Sequence, residues 1–409
     1  MSTENKKVMV IGGGIAGLTV AWELSRFNIS VELIEKTCFL GGHAIQFCCK
    51  ATDECLQCGA CSVEDMLKKV ADEPNINVHL ATEVESINKD KKFAVSLKKS
   101  SLLTDSEKLN ESGICYEESL LKGAVLRGYS KNNTPLYVIL DKKICDDNPG
   151  AVPEGAVELE KMGMSGNIEV DAVVLASGFK PFNAEIKETY GYRKFNNVIT
   201  GLDMERIKRE KGAIVRPSDG KEPQKVAFIQ CVGSRDERLG NLWCSHVCCP
   251  YALRMAENIK YKNNESEVTV FYMDIQNAGK NFPEFYEKCK LNQRFIRNIP
   301  VDIYPMEGDQ LRLRYMAEDD GLPVEEVFDL VVLSIGIMPN LENSSLAEIF
   351  GIELTNDGFF AGKDNLNRTS TSKSGIFIAG TTEGPKTIAA SMAHAGQAAG
   401  EVMKHLGVS

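Results

Sequence analysis

Apolar runs and their polar interruptions divide the chain into short buried strands and amphipathic helices. "KVMVI" breaks on "GGGIAGL", "TVAWELSRFN" follows as a helix, and "SVELIEK" reads as the next strand. Within the first forty residues this pattern predicts strand, glycine turn, helix and strand. Two later apolar runs, "VDAVVLASGFKPF" and "FDLVVLSIGIMPN", close on glycine in a similar way. Such repeated closures predict an α/β fold of two related units, one inserted in the other. A last strand, "SGIFIAG", leads into "PKTIAASMAHAGQAAGEVMKHL", a C-terminal helix. Residues 91–170 are polar and broken by Gly, Pro and Asn, which predicts short strands or irregular structure inserted in the first unit.

The first turn has the spacing Gly12-x-Gly14-x-x-Gly17. Gly12 permits the tight turn, Gly14 lets the backbone approach a pyrophosphate, and Gly17 lets helix and strand pack closely. Ile15 and Ala16 lie where the helix N-terminus offers free N–H groups and partial positive charge to phosphate. Glu35, followed by Lys36, ends the second strand, where a carboxylate can accept both ribose hydroxyls. A glycine pair, Gly41-Gly42, comes next. It resembles the second phosphate contact of the two-dinucleotide-domain flavoproteins, the glutathione and thioredoxin reductase superfamily. That resemblance implies FAD, with a backbone group near Val84 against adenine. It extends to Ala176, Ser177 and Gly178 at one strand closure and to Gly380 at another. Thr381 stands where the superfamily has an Asp on the ribityl chain, and Thr381 or Thr382 can supply a hydroxyl instead. The last helix, from Ile388, would face the flavin ring with Lys386 beside it, although a solvated lysine reads the same way.

In the second unit "KVAFIQ" is followed by "CVGSRDERLGNLWC" rather than by a glycine turn. Gly233 and Gly240 have the wrong spacing to open a helix around a pyrophosphate, which argues against NAD(P)H here. The cysteines Cys231, Cys244, Cys248 and Cys249 form C-x12-C-x3-C-C. Four thiolates suit Zn²⁺, but structural zinc sites use paired knuckles. Adjacent ligands suit the larger core of an iron–sulfur cluster, and free thiols are the remaining alternative. A cluster beside a flavin is chemically sensible, because FAD handles two electrons and the cluster passes them singly. The stretch "FIQCVGSRD…WCSHVCCPYA" together with the FAD motifs resembles the A subunit of heterodisulfide reductase. The resemblance implies one [4Fe–4S] cluster on these four cysteines. It divides the chain into FAD-domain parts at 1–90, 171–224 and 346–409, an insertion at 91–170, and a cluster-bearing unit at 225–345.

Thirteen cysteines are many for 409 residues, and with five scattered histidines they point to redox or metal chemistry in a reducing compartment. "FCCKATDECLQCGACSVED" begins a ferredoxin-type pattern, with Cys55, Cys58, Cys61 and Cys48 or Cys49 as ligands of a second possible cluster. Redox-active or structural thiols are the alternative. The "GGHA…CKATDxCxxCGAC" form looks most like compact subunits of sulfur oxidation; the subunit of quinone-interacting oxidoreductases is also similar. In the insertion, Leu109, Ser112 and Ser119 stand at ferredoxin cysteine positions with Cys115 remaining, and Val152 stands likewise beside Cys145. That pattern suggests a degenerate ferredoxin-like relic, or chance similarity in a polar loop.

A net charge of −10 argues against nucleic-acid binding, and no apolar stretch is long enough to span a bilayer. No leader precedes the first strand, so the expected location is the cytoplasm. The resemblance implies an oxidoreductase subunit that relays electrons, a homodimer, and iron–sulfur partners resembling the B and C subunits. No catalytic nucleophile or base stands out. The alternative is a stand-alone NAD(P)H-dependent disulfide or sulfur reductase.

Overall fold

The computed structural model describes residues 6–37, 39–99, 102–103, 125–129, 135–140, 165–276 and 279–408. In the first unit β1 (Lys7–Ile11), β2 (Ser30–Ile34) and β3 (Ile76–His79) run parallel. β10 (Ala172–Leu175) and β21 (Ile376–Ile378) extend the sheet in the order β21-β10-β1-β2-β3. Successive side chains leave opposite faces, so each strand is apolar on both. Val8, Val10, Val31 and Val174 pack under α1 (Ile15–Ser25), α2 (Cys61–Ala71) and α7 (Ile388–Leu406). Met9, Val173 and Leu175 instead meet an antiparallel layer of β4 (Thr82–Lys89), β5 (Phe93–Lys99) and β9 (Ser165–Val170).

The second unit repeats this plan. Its parallel sheet has the order β12-β19-β13-β14-β15, from β12 (Val198–Thr200), β13 (Lys225–Val232), β14 (Glu267–Phe271), β15 (Arg294–Ile296) and β19 (Leu330–Ile335). Val226, Phe228, Leu330 and Val332 pack on the side of α3 (Gly201–Lys211), α4 (Cys248–Lys262) and α5 (Phe282–Asn292). Ala227, Ile229, Val331 and Leu333 face β16 (Asp302–Pro305), β17 (Leu311–Met316) and β18 (Pro323–Phe328). The chain passes between the units twice, and its two crossings pair as β11 (Phe179–Pro181) with β20 (Ile337–Pro339). The last described helix before the return to β21, α6 (Asn343–Phe350), packs Ala347 and Phe350 on the first unit.

Two expected boundaries move. β12 and α3 belong to the second sheet, so that unit starts well before residue 225. The flanks of the expected 91–170 insertion are core strands, with Phe93, Val95, Leu97 and Val170 buried in the first unit. Between them the described strands β6 (Leu102–Leu103), β7 (Val125–Tyr129) and β8 (Pro135–Leu140) form a separate antiparallel sheet. The ferredoxin-like positions at Leu109, Ser112, Cys115, Ser119, Cys145 and Val152 lie outside the described residues.

Candidate functional site

A cleft of about 610 Å³ opens along the carboxyl ends of both parallel sheets. Its first half is built by the glycine turn between β1 and α1. Gly12 has φ +104°, and a Cβ there would lie 2.3 Å from the Ala176 carbonyl oxygen. At Gly17 a Cβ would lie 1.8 Å from the Gly12 oxygen, so this glycine serves helix–strand packing. At Gly14 no described atom lies within 4 Å of a Cβ position, so its bare backbone faces the open cleft. Gly14 is the N-cap of α1, and among the described residues no side chain caps that helix. Free amides at an uncapped N-terminus beside an open backbone fit a dinucleotide pyrophosphate.

The glycine pair folds against this turn, with the Gly41 N–H donating to the Gly13 carbonyl at 2.7 Å. Glu35 is buried and accepts from the Gly13 and Thr37 amides at 2.6 and 2.7 Å, so its carboxylate is fixed at the cleft wall. Lys36 pairs with Glu342 across the mouth. Ile15, Ala16, Gly42, Ala176, Ser177, Gly178 and Ile388 also line the cleft. Val84 does not; it is buried under the first sheet with Met9 and Ile34.

The two threonines after Gly380 divide their roles. Thr382 is fully buried, shares a 2.8 Å hydrogen bond with the Ser177 hydroxyl and accepts from the Gly178 amide at 3.1 Å. Thr381 lines the cleft and is the hydroxyl available to a ligand. Gly380, at φ +73°, donates its N–H to His394 Nδ1 at 3.0 Å, a contact no sequence motif announces. Accepting at Nδ1 fixes the neutral tautomer, and burial with the nearby Lys386 charge pushes His394 down to about 4. Lys386 lines the cleft but is ion-paired with Glu383, which also holds Arg368.

The second half of the cleft is where the other unit's turn departs from the first. β13 ends in a bulge against β19, and Cys231 occupies it at φ +59°. Residues 233–247 then form a long loop instead of a tight turn, with Arg235 and His246 also at positive φ. Strain of this kind persists only where surroundings enforce it. Here the Trp243 Nε1–H donates to the Ile337 carbonyl at 2.9 Å and the Ser245 hydroxyl accepts from the Ile337 amide at 2.8 Å. α4 begins on Cys248 and Cys249, uncapped by any side chain among the described residues. The two cysteines thus stand where a pyrophosphate would meet the helix N-terminus.

Cys248 lines the same cleft as Gly14. Burial and the neighbouring thiols Cys249, Cys231 and Cys244 push Cys248 well above the ordinary thiol range, and burial pushes Cys249 up to about 12. Such thiols ionise only against a cationic centre. Arg235, bidentate on Asp274, stands beside Cys231. Among the described residues no three His, Cys, Asp or Glu side chains converge as ligands of one metal ion. The site is also polar in a way sequence did not reveal: beside it, the buried Gln230 amide and Ser334 hydroxyl lack partners among the described residues. Four mutually interacting thiols, an uncapped helix and unpartnered donors fit an extended sulfur-rich anion.

The Cys48–Cys61 stretch is dispersed. Cys49, Cys55 and Cys61 are exposed, Cys58 lines the cleft, and Cys48 is buried with its amide and thiol both on Glu205. Lys50, buried between the Phe47 and Tyr251 rings at 5.5 Å from each centroid, pairs with Glu205 of α3. Lys208 reaches the Cys49 carbonyl at 2.8 Å and Arg254 the Leu56 carbonyl at 2.6 Å. The second unit thereby clamps this segment of the first.

A family model described as an NAD(P)-binding Rossmann-like domain matches residues 10–54. The A subunit of H(2):CoB-CoM heterodisulfide,ferredoxin reductase from Methanothermobacter thermautotrophicus is 32% identical over 96% of this chain and 63% of its own length. The iron-sulfur A subunit of CoB–CoM heterodisulfide reductase from Methanocaldococcus jannaschii is 34% identical over 97% and 64%. This chain belongs to the family of heterodisulfide reductase A subunits. It spans less than two thirds of the length of these relatives. Among solved structures, T. acidophilum thioredoxin reductase aligns over 98% of both chains with a TM-score of 0.55 at 14% identity. Lactococcus lactis thioredoxin reductase aligns over 98% of this chain and 99% of its own, with a TM-score of 0.54 at 15% identity. This member of the heterodisulfide reductase family therefore has the two-dinucleotide-binding-domain fold of thioredoxin reductase-like flavoproteins. Among its described residues no helix is long and apolar enough to cross a membrane.

Proposed function

We propose that this chain is an electron-transfer subunit holding one FAD on its glycine turns and one [4Fe–4S] cluster on Cys231, Cys244, Cys248 and Cys249. The observation that carries this reading is the shared cleft, lined by Gly14 and Thr381 at one end and by Cys248 at the other. When bound, FAD supplies two-electron chemistry and the cluster one-electron transfer. The chain's own residues hold and separate them: Gly14 and the α1 amides receive the pyrophosphate, Glu35 the ribose, and Thr381 the ribityl chain. The α4 N-terminus stabilises negative charge on the sulfur ligands. The names of the heterodisulfide reductase relatives support partners resembling the B and C subunits, and the compact cysteine pattern supports a setting in sulfur metabolism. A homodimer in the cytoplasm completes the proposal. Iron and acid-labile sulfide assays on anaerobically reconstituted protein test it, with about four of each per chain expected. Zinc without iron would overturn the cluster assignment.

Cys58 at the cleft wall favours one competing reading, a stand-alone NAD(P)H-dependent disulfide or sulfur reductase with its thiols at Cys55, Cys58 and Cys61. Rapid anaerobic bleaching of the bound flavin by NADH or NADPH would establish it and reject the relay.

A further inference from the structure

We infer that Gln230 and Ser334 are hydrogen-bond donors to the sulfur-rich group at the four-cysteine site and set its reduction potential. The inference rests on the cluster reading above and assigns these two residues within it. Gln230 is 1% exposed and Ser334 2% exposed. Among the described residues neither the Gln230 amide nor the Ser334 hydroxyl has a hydrogen-bond partner. A buried amide with both its ends unpaired is rare enough in folded proteins to require an occupant nearby.

Their position says where that occupant sits. Ile229 pairs with Leu333 and Val232 with Ile335, so Gln230 and Cys231 together face Ser334 across the bulge. Strand alternation places Gln230 on the side of Phe228 and Ser334 on that of Val332, the face covered by α4. Ser334 lines the cleft with Val247 and Cys248, and the Cys248 thiol lies 3.6 Å from the carbonyl of the next residue, Ile335. Two donors thus stand at the carboxyl ends of β13 and β19, beside the first turn of α4. Apolar side chains fill the same face further down these strands, so polarity is confined to the cysteine end.

Sulfur in a neutral thiol is a weak acceptor, but thiolate and cluster sulfur carry negative charge and accept readily. One-electron reduction adds negative charge, so these hydrogen bonds strengthen in the reduced form. Donors to sulfur therefore raise the potential, favouring electron transfer toward this site. The competing occupant is a buried water bridging the two side chains, which leaves the potential untouched.

The test uses the full chain reconstituted with FAD, iron and sulfide, comparing wild type with Gln230→Met, Ser334→Ala and the double variant. Iron content, flavin content and an EPR-monitored redox titration are read for each. The expected result is unchanged iron and flavin with a more negative midpoint in each single variant. In the double variant the reduced-to-oxidised ratio at fixed potential should fall about tenfold, which is 59 mV for one electron. Iron-loaded variants with the wild-type midpoint would overturn the inference in favour of water. Iron-free wild type would instead refute the cluster reading on which it rests. If Gln230→Met does not fold, Ser334→Ala and Gln230→Glu carry the same comparison. The added negative charge of Gln230→Glu should drive the midpoint further down, and an unmoved midpoint in both overturns the inference.

Discussion

Single glycines in this chain do different work, and substitution separates their roles. A methyl on Gly17 meets the Gly12 carbonyl, whereas a methyl on Gly14 meets only the open cleft. Gly17→Ala should therefore destabilise the apoprotein by about 3 kcal/mol or more through backbone displacement. Gly14→Ala should leave denaturation of the apoprotein within about 0.5 kcal/mol of wild type while weakening FAD binding at least about tenfold, a difference of about 1.4 kcal/mol. Urea denaturation and fluorescence titration with FAD measure the two effects. The motif made these glycines legible because their steric demands are local. His394 was not legible, since its role arises only when α7 brings it to Gly380. Its pKa gives a second test. The imidazole titrates at about 4 in the fold against an ordinary 6.5, with Lys386, Glu383 and Arg368 as its charged neighbours. The unfolded chain takes up this proton first, so the contribution is complete above pH 6.5. It is lost as pH falls from 6.5 toward 4, on the order of 3 kcal/mol. His394→Gln, which keeps an acceptor for the Gly380 amide without titrating, should flatten that part of the stability–pH profile. Parallel profiles for the two proteins would reject the assignment.

Among elements, the strands that alternate or run apolar were readable, and the ones that change partners were not. "VIT" at β12 is too short for periodicity to say which sheet it joins; pairing with β19 decides it. β5 and β9 looked like the ends of a polar insertion because only one face of each is covered, as Phe93, Val95 and Leu97 show. The segment from Ile45 to Cys58 posed a different difficulty. Its cysteines suggested a second cluster, but its geometry is that of a clamp held by α3 and α4. Lys50 and Glu205 are 4% and 1% exposed at their side chains, so removing one partner strands a buried charge. Lys50→Met should lower unfolding free energy by about 3–5 kcal/mol. Lys288→Ala, which removes the exposed pair with Glu54, should cost no more than about 1 kcal/mol. Guanidinium denaturation of the two variants measures the contrast; equal effects would mean the buried pair is not what fastens the segment.

At the scale of the whole molecule, two copies of one layered plan face a single cleft with different chemistry at each turn. In the first unit residues 12–14 connect β1 to α1, and the uncapped helix meets open space. In the second, residues 233–247 intervene, and the equivalent helix end is taken by Cys248 and Cys249. The absence of a glycine turn was visible in sequence, but the common cleft was not, because it depends on the β11–β20 crossing that sets the units together. The two turns share a cavity yet no covalent element, and Cys249 is buried on the far side of the α4 N-terminus, with its thiol 3.9 Å from the Asp274 carbonyl. Cys249→Ala should accordingly remove nearly all iron while leaving FAD content close to stoichiometric. Cys248→Ala should remove iron too, with at most a modest loss of FAD, because Cys248 alone of the four cysteines lines the cleft. Metal analysis and the flavin absorbance of the purified variants decide this directly. Loss of flavin together with iron in Cys249→Ala would mean that the second unit must be loaded before the first can close on its dinucleotide.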